Sequence, residues 1–173
     1  MKTYSRYILI FLLLTVFINS QAQKTYTLIN KKGILNKKLA AILPVSLKAM
    51  AALYSAMGGT NCMDQHCELT TALGLGQQGS EAQKNLILKY FPEDKVAKMV
   101  LGQECYLPPT SSDSFSNFKS LSISVLGDIV QVNYELDVLN HGEVKKIKGP
   151  DIYEFRNQVY HNKKRVLYAW TDK

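Results

Sequence analysis

The chain has little cysteine, little proline and no long run of one charge. Three Cys in 173 residues are too few for a disulfide-framework miniprotein. Five Pro and ten Gly exclude a linker-rich mosaic or a collagen-like repeat. Charged residues make up 20% and apolar residues 46%, ordinary globular values that exclude a disordered or coiled-coil chain. No internal repeat or low-complexity tract is present. A serine nucleophile on a G-x-S-x-G elbow is missing. So are the C-x-x-C of a thioredoxin-like redox site and the C-x-x-C-H of covalent haem attachment.

What is there begins at the N-terminus. Lys2 and Arg6 precede an 11-residue apolar run, Ile8 to Ile18, and Ser20, Gln21 and Ala22 follow it. This is the order of a signal peptide over residues 1–22, with cleavage after Ala22. Eleven residues reach about half of a ~30 Å hydrocarbon core, so a permanent span fits less well. No Cys stands at the cut to carry a lipid. The expectation is an exported protein, periplasmic or extracellular, with no stable membrane span after cleavage. The mature chain then carries 19 bases against 14 acids. That excess is moderate and dispersed, which disfavours nucleic acid and suits a small molecule or an acidic envelope polymer.

The remaining 23–173 reads as a single α+β domain, helical to about residue 106, a loop over 107–117 and a sheet over 118–170. Leu35, Leu39, Ile42 and Leu43 keep helical spacing behind a cap at Asn36 or Asn30, and Pro44 restarts the helix. Met50, Leu53, Tyr54 and Met57 form the next stripe, ended by Gly58-Gly59. Ser80 and Gln83 have capping-box spacing ahead of Leu86, Ile87, Tyr90 and Phe91. Val96, Met99 and Val100 mark a shorter helix beyond Pro92.

In the second half Leu121, Ile123 and Val125 alternate with serines. Val130, Val132, Tyr134, Leu136 and Val138 then alternate with Gln131, Asn133, Glu135 and Asp137, the pattern of a strand with one dry face. Turns follow at Asn140-His141-Gly142, Gly149-Pro150 and Asn157-Gln158. The fold expected is N-terminal helices packed on one face of a four- to five-stranded antiparallel meander.

This strand-and-turn order, from Gly127-Asp128-Ile129-Val130 through His141-Gly142 to Gly149-Pro150-Asp151-Ile152-Tyr153, resembles the closing strands of NTF2-like (cone-shaped, cystatin-like) domains over residues 121–170. The resemblance implies a curved sheet wrapped on helices, with a pocket at its wide end. It also implies either a non-catalytic ligand binder or an enzyme with Asp, His or Tyr in that pocket. Tyr134, Asp137, His141 and Tyr153 are the candidate ligand-binding residues. Asp137 falls on the wet side of its strand, which argues against catalysis. The reading is therefore a secreted, non-catalytic binding or interaction domain; the alternative is a small hydrolase or isomerase using Asp137 or His141.

The densest polar cluster runs from Cys62 through Asp64 and His66 to Cys67, with Cys105 further on. Adjacent His66 and Cys67 are awkward ligands for one ion, and exported thiols tend to be oxidised. The expectation is a Cys62–Cys67 disulfide, with Cys105 as the alternative partner, no metal and no cofactor. Gly74 to Gly79 matches G-x-G-x-x-G, but no strand precedes it, so it reads as a link between helices. Lys31-Lys32, Lys37-Lys38, Lys145 to Lys148 and Lys163-Lys164-Arg165 read as solvated turns or strand edges, or as an anion-binding strip. Tyr153, Phe155, Tyr160, Tyr168 and Trp170 read as packing or as a pocket lining.

Overall fold

The computed structural model describes residues 22–57, 65–102, 115–140 and 143–167, with side chains for all of these except 115, 116, 139 and 140. Strand β1 (Lys24–Ile29) comes first. Helices α1 (Lys37–Ala41), α2 (Val45–Ala56), α3 (Gln65–Ala72), α4 (Glu81–Tyr90) and α5 (Lys95–Leu101) follow. The chain ends in β2 (Phe115–Leu126), β3 (Ile129–Asn140), β4 (Glu143–Lys148), β5 (Asp151–Arg156) and β6 (Val159–Lys164). The strands form one sheet in the order β1-β2-β3-β5-β6, with β4 also on β3. Every pairing is antiparallel. The fold is α+β, with the helices packed against the sheet.

Alternation along β3 decides which face they cover. Val130, Val132, Tyr134 and Leu136 are buried in one core with Leu53, Tyr54, Ile87 and Phe91. Leu126 pairs with Ile129 across Gly127, whose φ of 57° suits the first central position of a two-residue hairpin turn. Asn157 and Gln158 both have positive φ, the backbone of a type I′ turn, and close the β5–β6 hairpin. Strands β4 and β5 lie in succession along the same edge of β3, parted at the cis Gly149–Pro150 bond. A Cβ on Gly149 would sit 2.8 Å from the Tyr134 ring, so only glycine lets that ring lie against the break.

Local signals place most of the helices. Asn36 caps α1 through Leu39 N, Ser80 caps α4 through Gln83 N and Asp94 caps α5 through Ala97 N. Met50, Leu53, Tyr54 and Met57 are all buried, as their spacing requires. Gly74, Gly76 and Gly79 have positive φ and lie between α3 and α4, a link and not a phosphate loop.

Some of these expectations need correction. The stretch to residue 106 is not all helical, because β1 opens it, and its neighbours on β2 lie almost 100 residues away. Leu35 forms an isolated bridge with Ile29 instead of starting a helix, and Ile42 is 77% exposed. Residues 115–117, given to the loop, already belong to β2, and the strand that starts at Val159 ends at Lys164 and does not run on through residues 165–167. The expected C-terminal meander is present as five strands, and β1 makes a sixth among the described residues. The expected loop residues 107–114 lie outside the described residues.

Candidate functional site

Two places combine polar groups with the helix-facing side of the sheet. The first is closed. Asp151 opens β5 with its side chain turned into the core, fully buried. Its Oδ2 accepts from the Tyr54 hydroxyl at 2.6 Å, and its Oδ1 from the Tyr134 hydroxyl at 3.1 Å. Oδ1 also accepts from Val166 N at 2.6 Å and Leu167 N at 3.4 Å. The Tyr54 and Tyr153 hydroxyls are 3.3 Å apart. Beside them Arg165 pairs with Asp94, the two side chains only 1% and 3% exposed, and the guanidinium lies 5.9 Å from the Tyr153 ring centre.

Burial raises the hydroxyl pKa of Tyr54 and of Tyr134, and the Asp151 charge pushes both further up. Burial also raises Tyr153, to about 12, against the opposing pull of Arg165. A neutral phenol held this way is a donor, not a base. Stability is therefore expected to fall as pH rises through the window from 10 to 12. Unfolded phenols ionise near 10, so there the unfolded state binds fewer protons than the folded one. Each such phenol removes about 1.4 kcal/mol per pH unit across its window. Urea midpoints at rising alkaline pH, with tyrosinate absorbance as a second probe, check this. A midpoint unchanged up to pH 12 would contradict the buried phenols.

The second place is open. A groove of about 460 Å³ lies between the start of α2, the helix-facing side of β1 and the β2–β3 turn. Val125, Val130, Leu47, Phe155 and Tyr160 give it apolar and aromatic walls, and Ala22, Lys24 and Tyr26 stand on its β1 side. The Lys24 ammonium rests 5.0 Å from the Tyr26 ring centre. Burial raises the Tyr160 hydroxyl pKa, while a hydrogen bond with Ser46 opposes that. Stacking of Tyr160 on Phe91, with ring centres 4.9 Å apart, fixes that wall.

Of the four residues chosen from sequence, the three that the structure describes do not meet in one site. Tyr134 and Tyr153 join the closed centre and are not among the residues that line the open groove. Asp137 projects to the opposite side of the sheet, where its carboxylate lies 3.5 Å from Lys119 Nζ. His141 lies outside the described residues. Cys67 is buried in α3, with Sγ donating to Gln78 Oε1 at 3.0 Å, while Cys62 and Cys105 lie outside the described residues. Among the described residues no three metal-ligating side chains converge, and no helix is long and apolar enough to cross a membrane.

Of the basic clusters, Arg165 belongs to the core and not to a solvated edge. Lys163 pairs with Glu154 at 2.8 Å, and this hydrogen bond lowers the Glu154 pKa. Of the aromatic run, Phe155 and Tyr160 line the groove and Tyr153 does not; Tyr168 and Trp170 lie outside the described residues.

Asp151, Asp94 and Tyr54 were missed as a set. The sequence signal for Asp151 is slight: an acid on the same face as Tyr153 and Phe155 at the start of a strand. No family model, curated protein or solved structure matches the chain.

Proposed function

We propose that this is an exported, non-catalytic binding domain, and that its binding site is the open groove beside β1. The observation that carries the reading is the groove itself, a concave apolar and aromatic surface with a few polar groups, the usual form of a ligand site. Lys24 at its side selects an anionic group next to an apolar one. The acids of the described residues that are buried, Asp151 and Asp94, are already engaged by tyrosines, backbone amides and Arg165, which favours a structural role over acid–base work.

Export rests on Lys2, Arg6, the apolar run and the small residues before the cut. Cleavage after Ala22 leaves β1 whole, since it starts at Lys24. It also takes Ala22 from the groove wall and leaves a cationic α-amino group beside Lys24. The NTF2-like resemblance remains part of this proposal, supported by helices on one face of a sheet whose long strands lie in the C-terminal half.

The test uses residues 23–173 and the fluorescent aromatic anion anilinonaphthalene sulfonate. Val125 is half-buried and borders the groove, so Val125→Trp fills it from a strand position that tolerates an aromatic residue. Dye affinity is expected to drop at least tenfold in Val125→Trp with the melting temperature little changed. Equal dye binding by both proteins would remove the groove from consideration.

A further inference from the structure

We infer that the partner of this groove is an extended, acidic chain segment that adds as a further strand to the outer edge of β1. The inference rests on the groove reading and narrows its ligand to a peptide. Among the described residues β1 is the last strand on its side of the sheet. Residues 35 and 36 already cover its far end, where Asn36 N donates to Leu28 O at 2.7 Å and Leu35 bridges Ile29. Lys24 to Thr27 pair only with β2 among the described residues. An edge of this kind offers backbone donors and acceptors to another chain.

Both sides of that edge are hollowed. Tyr26 pairs with the buried Ile123, so Lys24 and Tyr26 face the helix side and border the apolar groove. Thr25 faces the other way, with its hydroxyl 2.9 Å from that of Ser124. Thr27 shares that side and borders a second hollow of about 460 Å³, together with Ile34, Leu35, Lys37 and Lys38. Side chains of an added strand alternate between the two sides. One set meets an apolar groove and the other meets lysines. Added strands are recognised in this way, by main-chain hydrogen bonds plus pockets for alternate side chains.

Charge decides which strand fits. Residues 22–57 carry six lysines and no acid, and the first acid of the chain is Asp64. Glu68 lies 3.8 Å from Lys37 Nζ, and both side chains are largely exposed, so it screens this face weakly. A second copy meeting the first edge to edge would set these lysines against one another. An acidic strand relieves that repulsion.

The experiment uses residues 23–173 and two ten-residue peptides, one alternating valine with glutamate, the other valine with lysine. Affinity is read by fluorescence anisotropy, and amide exchange is followed at Lys24 to Thr27. The glutamate peptide is expected to protect these amides, to displace the sulfonate dye and to bind at least tenfold better than the lysine peptide. Replacing Lys37 and Lys38 by Glu, at exposed positions where folding is not at risk, is expected to cost at least tenfold in affinity. Equal affinity for the two peptides would overturn the inference, as would binding that leaves the β1 amides unprotected or protection that grows with protein concentration alone. Dye binding abolished by Val125→Trp, with no peptide binding, would overturn it while leaving the groove reading intact. Failure of dye and peptide together overturns both.

Discussion

Replacing Asp151 by alanine is expected to cost about 4 kcal/mol or more of unfolding free energy, enough to leave a domain of this size marginal. The carboxylate accepts from two phenols and two backbone amides. Removing it strands three buried donors and the partly buried Val166 N, and each buried donor costs about 1–3 kcal/mol unless the structure relaxes. Tyr54→Phe and Tyr134→Phe each remove one donor and are expected to cost only about 1–2 kcal/mol. The Tyr54 hydroxyl also sits against that of Tyr153, so its deletion is the more damaging of the two. Urea denaturation of the four proteins gives the ranking. An Asp151→Ala loss below 1 kcal/mol would show that the centre is not closed.

Asp94→Ala is the second large effect, expected at about 3–5 kcal/mol. A buried charge that loses its partner is among the costlier single changes. Asp94 serves twice: Oδ1 caps α5 by accepting from Ala97 N at 3.0 Å, and Oδ2 meets the Arg165 guanidinium. The guanidinium is held charged by the Tyr153 and Asp94 interactions despite its burial. Asp94→Asn keeps a capping oxygen and loses the charge, so it separates the two roles; a cap alone is worth about 1 kcal/mol. Adding Arg165→Met to Asp94→Ala is expected to recover much of the loss, because the remaining charge goes too. Additive losses in that double variant would show that the pair is not coupled.

Both changes fall on residues that carry little local signal. Tyr54 lies 97 residues from Asp151, and Asp94 lies 71 from Arg165. Nothing in the spacing of either pair announces contact. Arg165 reads as part of a basic cluster because it follows Lys163 and Lys164, yet those two are exposed and it is buried. Its burial follows from where the chain turns after β6 to run past Asp151. Asp137 was read onto the wet face and lies there, since a two-residue repeat fixes sidedness without reference to the rest of the fold. His66, counted in the polar cluster from Cys62 to Cys67, is a buried helical residue whose ring lies 5.0 Å from that of Phe118.

The sequence by itself determined whatever depends on a few neighbouring residues: the dry face of β3, the Ser80 cap, a cap at Asn36 or Asn30, and the turn at Asn157-Gln158. Those follow from backbone dihedral preference, orphan amide groups and side-chain periodicity, and all act within one turn or one strand. Only the tertiary structure decided that Lys24–Ile29 is a strand, because six residues with two threonines and a lysine need a partner edge to stay extended. It also decided which acids sink into the core and which lysines stay in water. Desolvation depends on every element packed around a group, and that sum is made only when helices and sheet close on each other.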